Sequence, residues 1–131
     1  MAKYFAHDSR IGTRGFQAYL VLIGLAWNRQ TITYGRLSQN QMKEYGHGGI
    51  LASPLNCIMA WCYENGLPPL TVLVVNEETG LPGDGLYTAS DYPAAQQRVF
   101  AFNWYSIFPP SPDELVAAGE RARAETLREP S

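Results

Sequence analysis

Leu67-Pro-Pro-Leu-Thr-Val-Leu-Val-Val-Asn-Glu-Glu-Thr-Gly-Leu-Pro-Gly-Asp-Gly-Leu86 decides how the chain is read. Leu70 to Val75 is a nearly unbroken apolar run with three valines, bounded by a double proline and by Asn76. Such a run, at strand length and β-branched, predicts a strand buried on both faces. Asn76 to Gly80 is turn chemistry, and the glycines of Leu81-Pro-Gly-Asp-Gly-Leu86 can take the positive φ that a return turn needs. The stretch therefore predicts a strand, a turn and a glycine-hinged return: a hairpin or wing. What precedes it reads as helix.

Thr13 is a plausible N-cap, and Phe16, Tyr19, Leu20, Ile23 and Trp27 follow at helical spacing, with Val21, Leu22 and Leu25 on the flanks. This predicts a central helix covered on most sides and ended by Asn28-Arg29-Gln30. Thr33 can cap a short second helix, whose polar middle Ser38-Gln39-Asn40-Gln41 is expected to face water. His47-Gly48-Gly49 reads as a joint. Ser53-Pro54 opens a third helix and Asn65-Gly66 closes it. Leu55, Ile58, Met59 and Cys62 form its inward stripe, which leaves Cys57, Ala60, Trp61 and Glu64 for a partner.

Beyond the wing, Ser90 or Asp91 can cap a fourth helix running to about Trp104. Phe100, Phe102, Trp104, Tyr105 and Phe108 then crowd the segment before Pro109-Pro110, and read as a core lid, since a base-stacking platform needs basic neighbours and only Arg98 is near in sequence. Ser111-Pro-Asp-Glu114 is a capping box opening a last helix, expected on the surface over residues 111–131.

The chain has 131 residues, 46% of them hydrophobic and 17% charged, the balance of one folded domain over 1–131. No apolar core follows the basic residue near the start, so no signal peptide is read. The most apolar segment, 15–27, is shorter than the roughly 20 residues that span a bilayer. A soluble, cytoplasmic protein with no membrane partner is expected. Cys57 and Cys62 lie about 140° apart on a helix, a poor arrangement for a disulfide or a shared metal. No metal and no cofactor is expected. His7 and His47 lack a second ligand at metal spacing, and Gly80 to Gly85 reads as a turn, because no Lys-Ser/Thr follows as in a phosphate loop.

The net charge of −2 conceals an asymmetry. Lys3, Arg10, Arg14, Arg29, Arg36 and Lys43 face only Asp8 in residues 1–43, whereas Arg98 is the sole base in 44–120. Ordinary solvated charge explains this most simply, and a pI near 5.6 is far from that of many nucleic-acid-binding domains. The alternative is a basic face made by the first helices. The third helix offers no Lys or Arg, so Asn56 alone could reach a base edge.

Helix, Thr33-Tyr34-Gly35 with Leu37, glycine joint, helix, then Leu70 to Asn76 and a glycine-rich wing resembles the winged-helix DNA-binding domain of DNA-repair alkyltransferases and alkyltransferase-like proteins. The resemblance covers residues 31–86. It implies an α+β, winged helix-turn-helix-like domain with a short β wing and extra C-terminal helices. In that family the strand ends in a Pro-Cys-His-Arg reactive centre, where this chain has Val74-Val75-Asn76-Glu77. The family's base-flipping arginine would come from Ile50 to Ser53, which holds none. The resemblance thus implies the scaffold without alkyl transfer, and no catalytic residue is assigned.

Two binding readings follow, with an enzyme reading behind them. In the first, Arg10, Arg14, Arg29, Arg36 and Lys43 contact phosphates and Asn56 a base, with DNA as partner. In the second, Trp61, Tyr63, Leu81 and Leu86 form an apolar patch for another protein. The third arranges Cys57, His47 and Asp84 as nucleophile, base and orienter.

Overall fold

The computed structural model describes residues 1–8, 10–41, 52–82 and 91–128. The helices are α1 (Ile11–Trp27), α2 (Tyr34–Gln41), α3 (Ala52–Glu64), α4 (Tyr92–Ala101) and α5 (Pro112–Arg128). Two short strands, β1 (Ile32–Thr33) and β2 (Val74–Val75), pair in parallel with Ile32 opposite Val74 and Thr33 opposite Val75. Among the described residues the architecture is mostly helical α+β, and one apolar core joins α1, α3, α4, α5 and the segment before β2.

Helix α1 begins two residues before the expected Thr13 cap. Asp8 braces the entry to the helix: its carboxylate accepts from the Arg10 backbone N–H at 3.0 Å and from the Thr13 hydroxyl at 3.0 Å, although no side chain caps the first-turn N–H groups. A carboxylate there also suits the positive end of the helix dipole. Ala18, Tyr19, Leu22, Ile23 and Ala26 carry the helix into the core. At the far end the Arg29 N–H donates to the Ala26 carbonyl (3.1 Å) and the Gln30 N–H to the Leu25 carbonyl (2.9 Å). These bonds make a Schellman motif in which Arg29, at φ 55°, occupies the left-handed position that glycine fills most easily.

Thr33 caps α2 as expected, its Oγ1 accepting from the Arg36 N–H at 3.2 Å. The polar middle of α2 does not all face water: Ser38 is fully buried beside Leu37. Helix α3 ends as read, with Gly66 at φ 66° and the Leu67 N–H donating to the Cys62 carbonyl at 2.9 Å. The expected long strand is corrected. Leu70–Leu73 is a 3₁₀ turn, and only Val74–Val75 is extended, although all six residues are buried. Burial was readable from the run of apolar residues, but such a run carries no period to separate a strand from a buried turn.

The return after β2 is a tight turn. The Asn76 side-chain carbonyl accepts from the Glu78 N–H at 2.8 Å, Gly80 stands at φ 70°, and Val75 bridges Pro82 in antiparallel fashion. The rest of the expected wing, Leu86 included, lies outside the described residues.

Helix α4 stops at Ala101, short of the expected Trp104. Trp104 sits in a 3₁₀ turn, buried, with its indole N–H donating to the Val99 carbonyl at 2.9 Å. The capping box of α5 is formed on both sides, Glu114 N–H to Ser111 Oγ at 3.1 Å and Ser111 N–H to Glu114 Oε1 at 3.2 Å. The helix it opens is not a surface appendage. Leu115 and Ala118 are fully buried, and α5 lies across both α1 and α3. Two glycines let it approach. A Cβ on Gly12 would stand 2.5 Å from the Pro112 carbonyl oxygen, and one on Gly119 would stand 2.7 Å from Cys57 Sγ.

Candidate functional site

Among the described residues, the basic side chains of 1–43 do not form one face. Arg14 is 2% exposed and bonds Gln17 from within the α1 surface, so it is not placed to meet a phosphate. Arg10 is exposed but held by Asp8 through side-chain hydrogen bonds of 2.6 and 2.9 Å. Those bonds, with help from Thr13, keep the Asp8 carboxyl well below the usual carboxylate range. Arg29 and Arg36 are exposed, and Lys43 lies outside the described residues. Arg10 and Arg29 are separated by the length of α1, roughly 25 Å at 1.5 Å per residue.

The partner patch is also redistributed. Trp61 is buried, its ring meeting Tyr19 edge to face at 5.8 Å, because α1 covers the side of α3 expected to be free. Cys57 and Ala60 are buried with it. Glu64 is drawn to α5, where Arg121 donates to both its oxygens at 2.9 and 2.8 Å. Among the described side chains of α3, Asn56 and Tyr63 are exposed along with Glu64, and Met59 is half-buried between Asn56 and Tyr63. This stripe opens on a groove of about 770 Å³ along the seam with α5, lined also by Ile11, Ala60, Val116, Glu120 and Arg123. Leu81 is exposed at the β2 return.

A different surface gathers where α1 and α4 end. Trp27 and Tyr105 meet edge to face at 5.6 Å, and the Tyr105 hydroxyl lies over Gly24, where an added Cβ would be 3.8 Å away. Arg29 reaches across from α1, its guanidinium carbon 6.0 Å from the centre of the Phe100 ring. Arg98 stands in the last turn of α4. The sequence around these contacts, residues 24–36 and 98–108, contains no Asp or Glu. The core-lid reading of the aromatic segment therefore holds for Trp104 and fails for Tyr105 and Phe108, both exposed. Nothing in the local sequence shows Arg29 beside Phe100, since α1 and α4 meet only in the folded chain.

The chemistry of the two thiols is that of core residues. Burial pushes the Cys57 thiol up, with a smaller push from Glu120, and raises Cys62 to about 11. His47 and Asp84, the other members of the enzyme reading, lie outside the described residues. Among the described residues no three His, Cys, Asp or Glu side chains gather as a metal site, and no helix is long and apolar enough to cross a membrane. Comparison of the chain with protein-family models, curated proteins and solved structures gives no match.

Proposed function

We propose that the protein is a non-catalytic, winged-helix-like binding module for nucleic acid, with its contact surface at the ends of α1 and α4 rather than on α3. One observation carries this reading: exposed Arg29 is laid over Phe100, and the sequence on either side of this contact, residues 24–36 and 98–108, holds arginines and no carboxylate. Arg36, seven residues on in the first turn of α2, is a second exposed cation. Helix α3, which a winged helix would place in the major groove, shows Asn56, Met59 and Tyr63 and no cation, so base readout there is minimal. With a net charge of −2, binding is expected to be modest, weak in sequence preference and steep in salt.

The test is a titration of labelled DNA at about 50 mM and 200 mM salt with the parent and with Arg29→Glu plus Arg36→Glu. The reading requires salt-sensitive binding that the double variant loses. Absence of binding by the parent at the lower salt overturns it. A protein partner is the second reading, favoured by the exposed Tyr63 beside the α3–α5 groove and by Leu81 at the turn. Under that reading Tyr63→Ala, and not the arginine pair, abolishes the interaction.

A further inference from the structure

We infer that the surface joining the ends of α1 and α4 is a stacking platform for single-stranded nucleic acid, an assignment that rests on the nucleic-acid reading above. Trp27 is 66% exposed, Tyr105 58% and Phe108 94%. Large rings normally go to the core because each carries so much apolar area, and here Trp27 at the end of α1 stays in water, as do Tyr105 and Phe108 in the same stretch that puts Trp104 in the core. Trp27 and Tyr105 stand at 76° to each other, so their faces look in two directions. At Gly24 the Tyr105 hydroxyl meets no side chain, and a Cβ there would stand 3.8 Å from it. Nucleobases have apolar faces and stack on such rings whatever their sequence.

Arg29 supplies the second half of the chemistry. It occupies a left-handed backbone position that glycine would hold with less strain, and from there it lies over Phe100. A cation beside aromatic rings both attracts a phosphate backbone and adds cation–π attraction for a base. The sequence around it, residues 24–36 and 98–108, adds Arg36 and Arg98 and no carboxylate. Single strands fit this arrangement better than duplex, because bases stacked inside a double helix cannot reach protein rings. A proline-rich peptide would also lie on exposed Trp and Tyr, but it has no use for the arginines.

The test compares a labelled oligothymidylate of about 20 nucleotides, a duplex of equal length and an oligoproline peptide, by fluorescence anisotropy at about 50 mM salt. Tryptophan emission is followed in parallel: Trp61 and Trp104 are buried, so quenching by the oligonucleotide reports Trp27. The expected result is single-strand binding at least roughly ten-fold tighter than duplex binding, weakened about ten-fold or more by Trp27→Ala plus Tyr105→Ala. Arg29→Gly is expected to weaken binding while leaving the melting temperature unchanged or raised. That separates a binding role from a structural one. Duplex binding equal to single-strand binding and indifferent to the ring substitutions overturns the platform and leaves the nucleic-acid reading standing. Binding of neither oligonucleotide overturns both, and oligoproline binding in their place, lost with Trp27→Ala, reassigns the rings to a protein partner.

Discussion

Gly119 of α5 lies against Cys57 of α3 so closely that a Cβ on the glycine would stand 2.7 Å from the Cys57 sulfur and 3.5 Å from its Cα. The second distance is ordinary contact, but the first is not, and the sulfur is held within a buried face. Gly119→Ala is therefore expected to cost about 1–3 kcal/mol, the range for overpacking a well-filled contact. Gly12→Ala is expected to cost more, because its obstacle is the Pro112 backbone carbonyl at 2.5 Å, which has no rotamer to escape into. Urea unfolding of both variants checks the order. Parent-like stability of Gly12→Ala would show that α1 and α5 are not in this contact.

Trp61 separates a core residue from a surface anchor. It is buried against Tyr19, which itself meets Trp104 edge to face at 6.5 Å. Trp61→Ala is expected to lower stability by about 3–5 kcal/mol, as large-to-small core changes with an aromatic do. Since Trp61 has no free face, any loss of partner binding should follow the loss of folding and vanish when binding is measured on the folded fraction. A stable Trp61→Ala protein that has lost only its partner would restore the tryptophan to the surface reading.

The Glu64–Arg121 pair ties α3 to α5 across the outer side of their seam. The two Arg121 hydrogen bonds hold the Glu64 carboxyl below its ordinary value, against a small opposing push from burial. A carboxylate whose pKa is depressed on folding adds stability above its unfolded pKa and loses it as pH falls through the folded value. The contribution is therefore expected to be full at neutral pH and to fade below about pH 4. Both partners reach solvent, with side chains 31% and 61% exposed, so the effect is expected to be small and screened by salt. Melting curves of the parent and Glu64→Gln from neutral to acid pH give the check: their separation should close on the acid side, and a separation that widens there would contradict the pairing.

Local signals in the sequence gave reliable local structure. The Ser111–Glu114 box, the Thr33 cap and the Gly66 stop are all formed as read, because each is decided by residues within one turn of one another. Leu70 to Val75 was legible as buried and illegible as to shape, since its backbone bends to fit between α1, α3 and α4, a tertiary decision. The surface readings suffered most. Which side of α3 meets water depends on α1 and α5, so Cys57, Ala60 and Trp61, outward by helical spacing alone, are inside. Arg14 looked like any other cation in a basic segment, and only the packing of α1 shows it to be buried. The pairing of Arg29 with Phe100 joins positions far apart in the chain and left no trace at either of them.

The thiols test what remains of the enzyme reading. A catalytic cysteine needs a thiolate at working pH, and thiolates form where positive charge or solvent favours them. Both cysteines here sit where burial disfavours charge, and Cys57 has the Glu120 carboxylate nearby in place of a cation. With Cys62 at about 11, only about a thousandth of it is ionised at pH 8, and its side chain is almost wholly enclosed. Reaction of the folded protein with a chromogenic disulfide at pH 8 should therefore be at least roughly a hundred-fold slower than in urea. Cys57, 7% exposed against 1% for Cys62, should react first. Cys57→Ser is expected to leave oligonucleotide binding intact, since the ring surface and the thiol belong to different parts of the fold. Immediate labelling of Cys57 in the folded protein, together with loss of a measurable activity in Cys57→Ser, would return the thiol to the centre of the chemistry and displace the binding module.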